Sequence, residues 1–233
     1  MNLLTTQNAK TIKGESLGYS TAILYMAPST VGGRGNVCSF ASPECKVVCL
    51  YSAGRGRFSS VQKARIRRAN EFFDNPKNFI QVLSGDIANH VIKSGENIPA
   101  IRLNGTSDLP WEMLKGNFGK SLMERFPQVQ FYDYSKNPNR MKAYLNGEFP
   151  KNYHLTFSRS ECNDSVCEEI LKLGGNVAVV FQKELPETWN GYKVIEGDKT
   201  DLRFLDDSNV IVGLTAKGFA KKAKTNFVVK AVA

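Results

Sequence analysis

The sequence is poor in histidine and has no long apolar run. Two histidines among 233 residues argue against metal sites built from imidazole ligands. A membrane-spanning helix needs about 18 or more consecutive apolar residues, and no run comes near that length. The first residues, MNLLTTQNAKTIKG, also lack the apolar centre of a secretory signal peptide. We therefore expect a cytoplasmic protein that contacts no membrane.

Sequence motifs of several common enzyme classes are also missing. The chain has no P-loop, no nucleophile elbow, no metalloprotease helix and no dinucleotide-binding glycine fingerprint after any predicted strand. No linker or low-complexity segment divides it. A chain of this length is close to the size of one α/β barrel. We predict a single domain over residues 1–233.

Acidic residues are the scarcer charged class. There are 22 Asp and Glu against 31 Lys and Arg, so the net charge is +9. A positive excess favours acidic partners, and the two classes that we expect are nucleic acid and an acidic redox partner. Net charge alone does not choose between them.

Short β-rich segments alternate with helical patterns along the chain. This alternation predicts a parallel sheet, and eight strands in this length predict a TIM-barrel-like (β/α) domain. The connections after residue 182 are short and turn-rich, so we expect an incomplete or distorted second half. A doubly wound open sheet is the alternative. The predicted strands are residues 21–27, 98–104, 129–135, 152–158, 176–182, 192–197, 209–215 and 227–232, and the predicted helices are residues 59–73, 78–92, 110–125, 139–145 and 164–173.

Polar side chains follow most of the predicted strands. Arg102, Asn104 and Asp108 come after the second strand, and Arg159 comes after the fourth. The carboxyl ends of barrel strands form the site face, because the βα loops gather there. Polar residues also begin ordinary surface loops, but the repetition over six strands favours a site. We predict that these four residues line it.

Five cysteines in an intracellular chain indicate metal or redox chemistry rather than a disulfide framework. Cys38, Cys45 and Cys49 form C-x6-C-x3-C in a glycine-rich loop, residues 32–57, after the first predicted strand. Thiolates are ligands for zinc and for iron–sulfur clusters. The closely paired cysteines of structural zinc sites are missing here. The pattern therefore favours an iron–sulfur cluster, [4Fe–4S] or larger, over zinc.

The same loop is rich in arginine. Arg34, Arg55 and Arg57 flank the three cysteines, and we expect them to offset the negative charge of a thiolate-bound cluster. We include Arg55 among the residues predicted to line the site. The glycines would let backbone amides turn toward the cluster sulfur atoms.

The other two cysteines follow the fourth predicted strand. Cys162 comes directly after the strand and is our candidate for a fourth cluster ligand. Cys167 lies early in a predicted helix, on the face of Ile170 and Leu171, so packing competes with ligation. Binding by both would require a larger or a second cluster.

Three functions remain open on this pattern. The leading prediction is an electron-transfer protein with a fully ligated cluster. The second is an enzyme with an open iron acting on a small molecule or nucleic acid, similar to radical S-adenosylmethionine enzymes, although their usual C-x3-C-x2-C spacing differs from this one. The third is a zinc-stabilised nucleic-acid-binding protein. The basic segment SSVQKARIRRANEFF is expected to form a helix with a solvated basic face.

Four ordered motifs resemble a known family. The segments NVCSFASPECKVVCLYSAGRGRFSSVQKARIRR, RLNGTSDLPWE, YHLTFSRSE and IEGDKTDLRFLD together resemble the gene product 88 domain family of bacteriophage proteins. The resemblance runs from near residue 8 to near residue 228. It implies a phage-encoded protein of the host bacterial cytoplasm, with a cysteine loop suited to an iron–sulfur cluster. It implies no reaction.

Overall fold

A ten-stranded, mainly parallel sheet organises the described part of the chain, which is residues 2–6 and 13–230 of a computed structural model. The strand order is β1-β2-β3-β4-β5-β6-β9-β8-β7, and β10 pairs with β6. All eight predicted strands are present, each within a few residues of its expected position. Residues 231 and 232 of the last predicted strand lie outside the described residues. The strands are β1 (Leu4–Thr5), β2 (Tyr19–Leu24), β3 (Ile98–Arg102), β4 (Gln130–Ser135), β5 (Tyr153–Ser158), β6 (Val177–Phe181), β7 (Thr188–Trp189), β8 (Tyr192–Glu196), β9 (Ile211–Thr215) and β10 (Val228–Val229).

The helices agree with four of the five predicted segments. The prediction over residues 110–125 is wrong except for its last turn, because Trp111 is held by a side-chain hydrogen bond to Asn104 and Gly119 has a φ of +70°. None of the helices in the described ranges is long and apolar enough to cross a membrane. The helices are α1 (Pro43–Val47), α2 (Ser59–Asp74), α3 (Pro76–Lys93), α4 (Leu122–Arg125), α5 (Pro138–Leu145) and α6 (Asp164–Lys172).

The sheet is mixed α/β in class but is not closed, so the TIM-barrel prediction is not confirmed. Closure would require the outer edge of β2 to pair with the last strand of the series. That edge instead pairs with β1, which runs antiparallel. At the opposite end, the outer edge of β8 pairs with antiparallel β7. Both edges of the parallel strands are therefore occupied by two-residue strands, and neither of these was predicted.

Helices cover one face of the sheet in two groups. The first group, α2 and α3, buries Phe72, Leu83 and Ile87 against β2, β3 and β4. The second group, α5 and α6, buries Met141 and Ile170 against β5, β6 and β9. Side chains alternate between the faces of a strand, so each of these strands also presents residues to the opposite, inner face.

The inner face is covered by the connection between β8 and β9. We call residues 198–206 the crossing segment. Its Phe204 ring packs edge-on against Tyr19 and Tyr132, with ring centroids 5.1 and 5.5 Å apart. Its Asp201 accepts a hydrogen bond of 3.0 Å from the Arg102 guanidinium at the end of β3, and both side chains are buried. The interior is thus filled by a loop, and the sheet stays open.

The sheet splits near the carboxyl ends of β5 and β6. Pairing between these strands joins only Phe157 to Val177 and Ser158 to Ala178. The last residues of β6 pair instead with β10, through Val228 and Val229. The chain before β10 consequently passes over the carboxyl ends of the strands and forms part of the site described below.

We predict that Asp201→Asn destabilises the fold strongly. The substitution leaves the Arg102 charge buried without its carboxylate, which typically costs about 3–5 kcal/mol. Urea unfolding of the full chain measures the effect. The matched control is Asp207→Asn, because Asp207 is exposed and its ion pair with Lys193 is 3.6 Å long; it should change stability by less than about 0.5 kcal/mol. Equal stabilities for the two variants would contradict the role of the pair.

His154 should make stability depend on pH. Burial, with a smaller contribution from the Arg203 guanidinium, lowers the pKa of His154 from 6.5 to about 4. As pH falls from 6.5 to 4, the unfolded chain takes up a proton that the folded chain does not. The free energy of unfolding should therefore fall, by up to about 1.4 kcal/mol per pH unit from this group.

His154→Gln should flatten this dependence, which urea unfolding at a series of pH values would measure. Above pH 7 the stability of the variant and of the wild type should run in parallel, because the histidine is neutral in both states there. An equal slope for the two proteins between pH 6.5 and 4 would show that His154 is not the group responsible.

Candidate functional site

A large cavity lies at the carboxyl ends of the parallel strands. Its volume is about 1580 Å³, larger than the 300–1,000 Å³ typical of small-molecule sites. Residues at or just after the ends of β2, β3, β4, β5, β8 and β9 line it, together with the cysteine loop and one face of α2. The cavity therefore lies at the edge of the sheet where the parallel-strand pattern predicts a site.

The three loop cysteines all line this cavity. Cys38 lies in the loop after β2, and its thiol is 3.7 Å from the carbonyl oxygen of Thr106. Cys45 lies in α1, and Cys49 comes just before a 3₁₀ turn over Leu50–Ser52. Each of the three is half-buried. The structure thus brings together residues that are up to eleven positions apart in sequence.

Contacts from two distant loops hold the cysteine loop in place. Glu161, which follows β5, accepts hydrogen bonds from the Ser42 hydroxyl at 2.6 Å and from the Glu44 amide at 3.1 Å. The Ser42 hydroxyl also accepts a hydrogen bond from the Cys45 amide and so caps α1. Glu44 in turn accepts a hydrogen bond from the Phe227 amide. The loop therefore has a defined shape, although it contributes little to the main core.

Burial makes the free thiols of the site hard to ionise. It raises the pKa of Cys38 from 9.0 to about 12, and it also raises the pKa of Cys49. The neighbouring cysteine thiols raise both pKa values further, whereas Lys136 and Arg65 partly lower that of Cys49. A reactive cysteine nucleophile needs a lowered pKa. Burial of Cys38 and Cys49 therefore disfavours a free thiolate. It is compatible with thiols that ionise only when they bind a cationic centre.

The cysteine geometry does not suit a single metal ion. Within residues 2–6 and 13–230, no three His, Cys, Asp or Glu side chains converge to hold one ion. A zinc site would bring its ligands within about 2.3 Å of one centre. In an iron–sulfur cluster each thiolate binds a different iron, so the ligands surround a larger inorganic core. Among the described residues, the three thiols border the cavity without forming a site for one ion.

The other two cysteines are placed elsewhere. Cys162 is exposed, and its nearest polar contact is the Ser160 hydroxyl at 3.6 Å. Cys167 is 1% exposed and packs in the core beneath α6 with Ile170 and Leu171. Neither is among the described residues that line the cavity. Cys162 and Cys167 therefore do not border the cavity with the loop cysteines, and their role as cluster ligands stays a prediction.

Four of the five residues predicted to line a site border this cavity. Arg55, Arg102, Asn104 and Asp108 all border the cavity. Arg159 is instead turned away, where it forms an ion pair with Asp164 at 2.7 Å and donates hydrogen bonds to the carbonyl oxygens of residues 226 and 227. Its position after a strand predicted the correct edge of the sheet, but its side chain supports the segment before β10.

The flanking arginines of the cysteine loop differ in position. Arg55 borders the cavity, but Arg34 and Arg57 are exposed outside its lining. Arg34 forms a surface ion pair of 3.5 Å with Asp74. The cations close enough to influence Cys49 are Lys136 and Arg65, which come from other parts of the chain.

Asn104 and Asp108 are structural as well as cavity-lining. The Asn104 side-chain oxygen accepts hydrogen bonds from Ser107, Leu109 and Trp111. Asp108 forms a buried ion pair with Arg140 at 3.0 Å, and its other oxygen accepts a hydrogen bond from the Lys136 amide. These contacts fix the loops after β3 and β4.

The basic helix α2 is the feature that sequence analysis placed wrongly. Instead of a fully solvated basic face, it presents Ser60, Ala64 and Arg68 to the cavity, together with Val61 and Arg65. Arg65 is only 8% exposed. The spacing of these residues matches one helical face. Periodicity alone could therefore have predicted that this face is covered, but its arginines suggested that it is exposed to solvent.

We predict a clear order of cysteine reactivity in the native protein. Iodoacetamide should modify exposed Cys162 first, and Cys38 at least about a hundredfold more slowly, because its raised pKa leaves little thiolate. Cys167 should react only after unfolding. Peptide mass spectrometry over time measures the order, and the urea-unfolded chain, in which the five rates should converge, is the control. Labelling of Cys167 as fast as Cys162 in the native protein would contradict its placement.

Comparison with known proteins agrees with the resemblance in the motifs. A family model described as Gene product 88 matches residues 2–231, which fits the expectation of a bacteriophage protein. No curated protein and no solved structure matches the chain. Because the family model covers almost the entire chain, this protein belongs to the gene product 88 family.

Proposed function

We propose that this protein is an iron–sulfur enzyme whose [4Fe–4S] cluster is held by Cys38, Cys45 and Cys49 at the cavity. The observation that carries the proposal is that three thiols, and only three among the described residues, border one large cavity. A [4Fe–4S] cluster in an electron-transfer protein normally has four cysteine ligands. Three ligands leave one iron open, and here that iron would face the cavity.

Residues around the thiols suit a negatively charged centre. The Lys136 ammonium donates a hydrogen bond of 2.6 Å to the Ser158 hydroxyl and lies 5.3 Å from the Phe227 ring centroid. It is held in the cavity wall, and its charge favours the ionised form of Cys49. Because the thiols are protonated before binding, assembly of the cluster should release protons. Lys136 then remains to balance the charge.

The cavity supports a reaction on a small molecule. Bound in this position, the cluster would supply one-electron transfer and a Lewis-acidic iron. The chain would supply enclosure and orientation, because the cavity walls combine apolar residues such as Val48, Leu214 and Phe227 with polar groups. This combination is typical of sites that bind organic ligands.

S-adenosylmethionine is our candidate for the co-substrate. The cysteine loop follows β2, which is the first parallel strand, as in enzymes of the radical type. The C-x6-C-x3-C spacing departs from theirs, so the support is the position of the loop and the open cavity. The position of the loop and the parallel strands are also consistent with an opened form of the barrel architecture.

An electron-transfer role is the second candidate. Val47 and Leu50, within the cysteine loop, are 64% and 45% exposed, and exposed apolar groups often mark partner surfaces. An acidic redox protein would suit the net charge of +9. The same partner would also be needed to reduce the cluster of an enzyme. We place either activity in the cytoplasm of a bacterial host, where thiols stay reduced.

The test is anaerobic cluster assembly followed by iron and sulfide analysis and EPR. The wild type should hold about four iron and four sulfide ions per chain. Cys38→Ala, Cys45→Ala and Cys49→Ala should each lose most of this content. Cys162→Ala is the matched control and should retain it.

Addition of S-adenosylmethionine tests whether an iron is open. A shift in the EPR spectrum of the reduced wild type is expected if the co-substrate binds the cluster. Loss of the cluster in Cys162→Ala would instead indicate four thiolate ligands and favour electron transfer. Zinc, or no metal, in anaerobically prepared protein would refute the iron–sulfur proposal.

A further inference from the structure

The cavity contains a buried positive charge that has no carboxylate partner within residues 2–6 and 13–230. Arg65 is 8% exposed, and no described acidic side chain forms an ion pair with it. Its guanidinium carbon lies 4.7 Å from the Tyr25 ring centroid and 5.6 Å from that of Tyr51. One terminal nitrogen donates a weak hydrogen bond of 3.4 Å to the Tyr51 carbonyl oxygen. The Nε atom is buried and has no partner.

A second guanidinium in the same lining is also incompletely paired. Arg102 is 7% exposed and donates to Asp201 through Nη1. Its guanidinium carbon stacks 4.5 Å from the Tyr134 ring centroid. The Nε of Arg102 and the hydroxyl of Tyr134 are buried without partners. Tyr25 is close enough to influence the charge of both Arg65 and Arg102, so the two guanidinium groups belong to one region.

The unpaired atoms of the cavity lining share a chemical character. They are the Nε atoms of Arg65, Arg68 and Arg102 and the hydroxyl of Tyr134. All four can donate a hydrogen bond, and three of them carry positive charge. Buried polar groups almost always find partners, and an unpaired buried charge is especially costly. These atoms are enclosed by protein, and they mark a lining rich in unpaired donors, which favours a negatively charged ligand.

We propose that the cavity contains an oxyanion subsite, formed by Arg65 and Arg102 with Arg68 and Tyr134, that binds a phosphate- or carboxylate-bearing small molecule. Guanidinium groups match both oxyanions because their planar donors can bind two oxygens at once. The volume of about 1580 Å³ leaves room for the organic part of such a ligand. The donors of this subsite come from β3, β4 and α2, although Arg65 also contacts Tyr51 of the cysteine loop.

The test uses thermal unfolding and calorimetric titration of the full chain with inorganic phosphate, pyrophosphate and malonate as separate probes. Any anion that binds the folded state should raise the unfolding midpoint, by several degrees at saturation. Stabilisation by phosphate or pyrophosphate but not malonate would assign a phosphate ligand. The reverse order would assign a carboxylate.

Arg65→Met is the decisive variant. It removes the charge but keeps a side chain of similar length, so without an anion its stability should equal or exceed that of the wild type. Its affinity for the anion should fall about tenfold or more. Arg67→Met is the matched control, because Arg67 is exposed on the same helix, and it should bind like the wild type.

Three results would overturn the proposal. One is the absence of binding by all three probes. Another is equal anion binding by Arg65→Met and Arg67→Met, which would mean that surface charge alone attracts the anion. The third concerns Cys38→Ala, which should lack the cluster: loss of anion binding there, with the fold intact by circular dichroism, would assign Arg65 to the cluster. Retention of anion binding in Cys38→Ala supports the subsite, whether or not the wild type binds iron.

Discussion

The buried ion pair between Arg102 and Asp201 is the interaction on which the rest of this architecture depends. It joins the end of β3 to the crossing segment across the inner face of the sheet. Two charges removed from water are tolerated because each satisfies the other and because Arg102 also stacks on Tyr134. With the crossing segment held there, the interior is filled by a loop. The large cavity lies beyond this loop, toward the carboxyl ends of the strands.

A second constraint concerns the cysteine loop, whose shape depends on other segments. Its α1 helix has five residues and buries none of them, so it has little stability of its own. Glu161 and Phe227 hold it through hydrogen bonds to Ser42 and Glu44. The position of the loop therefore depends on contacts with the chain after β5 and the chain before β10.

Burial shifts the pKa values of the acidic thiols and of the basic guanidinium groups of the cavity in opposite directions. It raises the pKa of the Cys38 and Cys49 thiols and lowers that of the Arg65 guanidinium, because it disfavours the charged form of each. A positively charged iron–sulfur core would compensate the thiolates, and an oxyanion would compensate the arginines. The two proposals thus follow from one physical condition, which is the burial of ionisable groups around the cavity.

Local pattern was sufficient for much of the fold. The alternation of apolar residues identified eight strands, including β10, and four helices, because periods of 2 and about 3.6 residues are properties of a segment. It failed for β1 and β7, whose two residues carry no period, and for residues 110–125, where the hydrogen bond between Trp111 and Asn104 replaces a helix. Local pattern also could not predict whether the barrel closes, because the pairing of edge strands joins segments that are distant in sequence.

The residues of the candidate site also fall into a group that local sequence predicts and a group that only distant contacts determine. The sequence by itself determined that Cys38, Cys45 and Cys49 share one loop and that Arg102, Asn104 and Asp108 lie at the carboxyl end of a parallel strand, because both follow from adjacency along the chain. Only the tertiary structure decided that Cys162 is exposed, that Arg159 turns away and that Arg65 is buried beside Tyr25 and Tyr51. Those outcomes depend on which distant segments pack against each side chain, and packing between distant segments leaves no local period in a sequence.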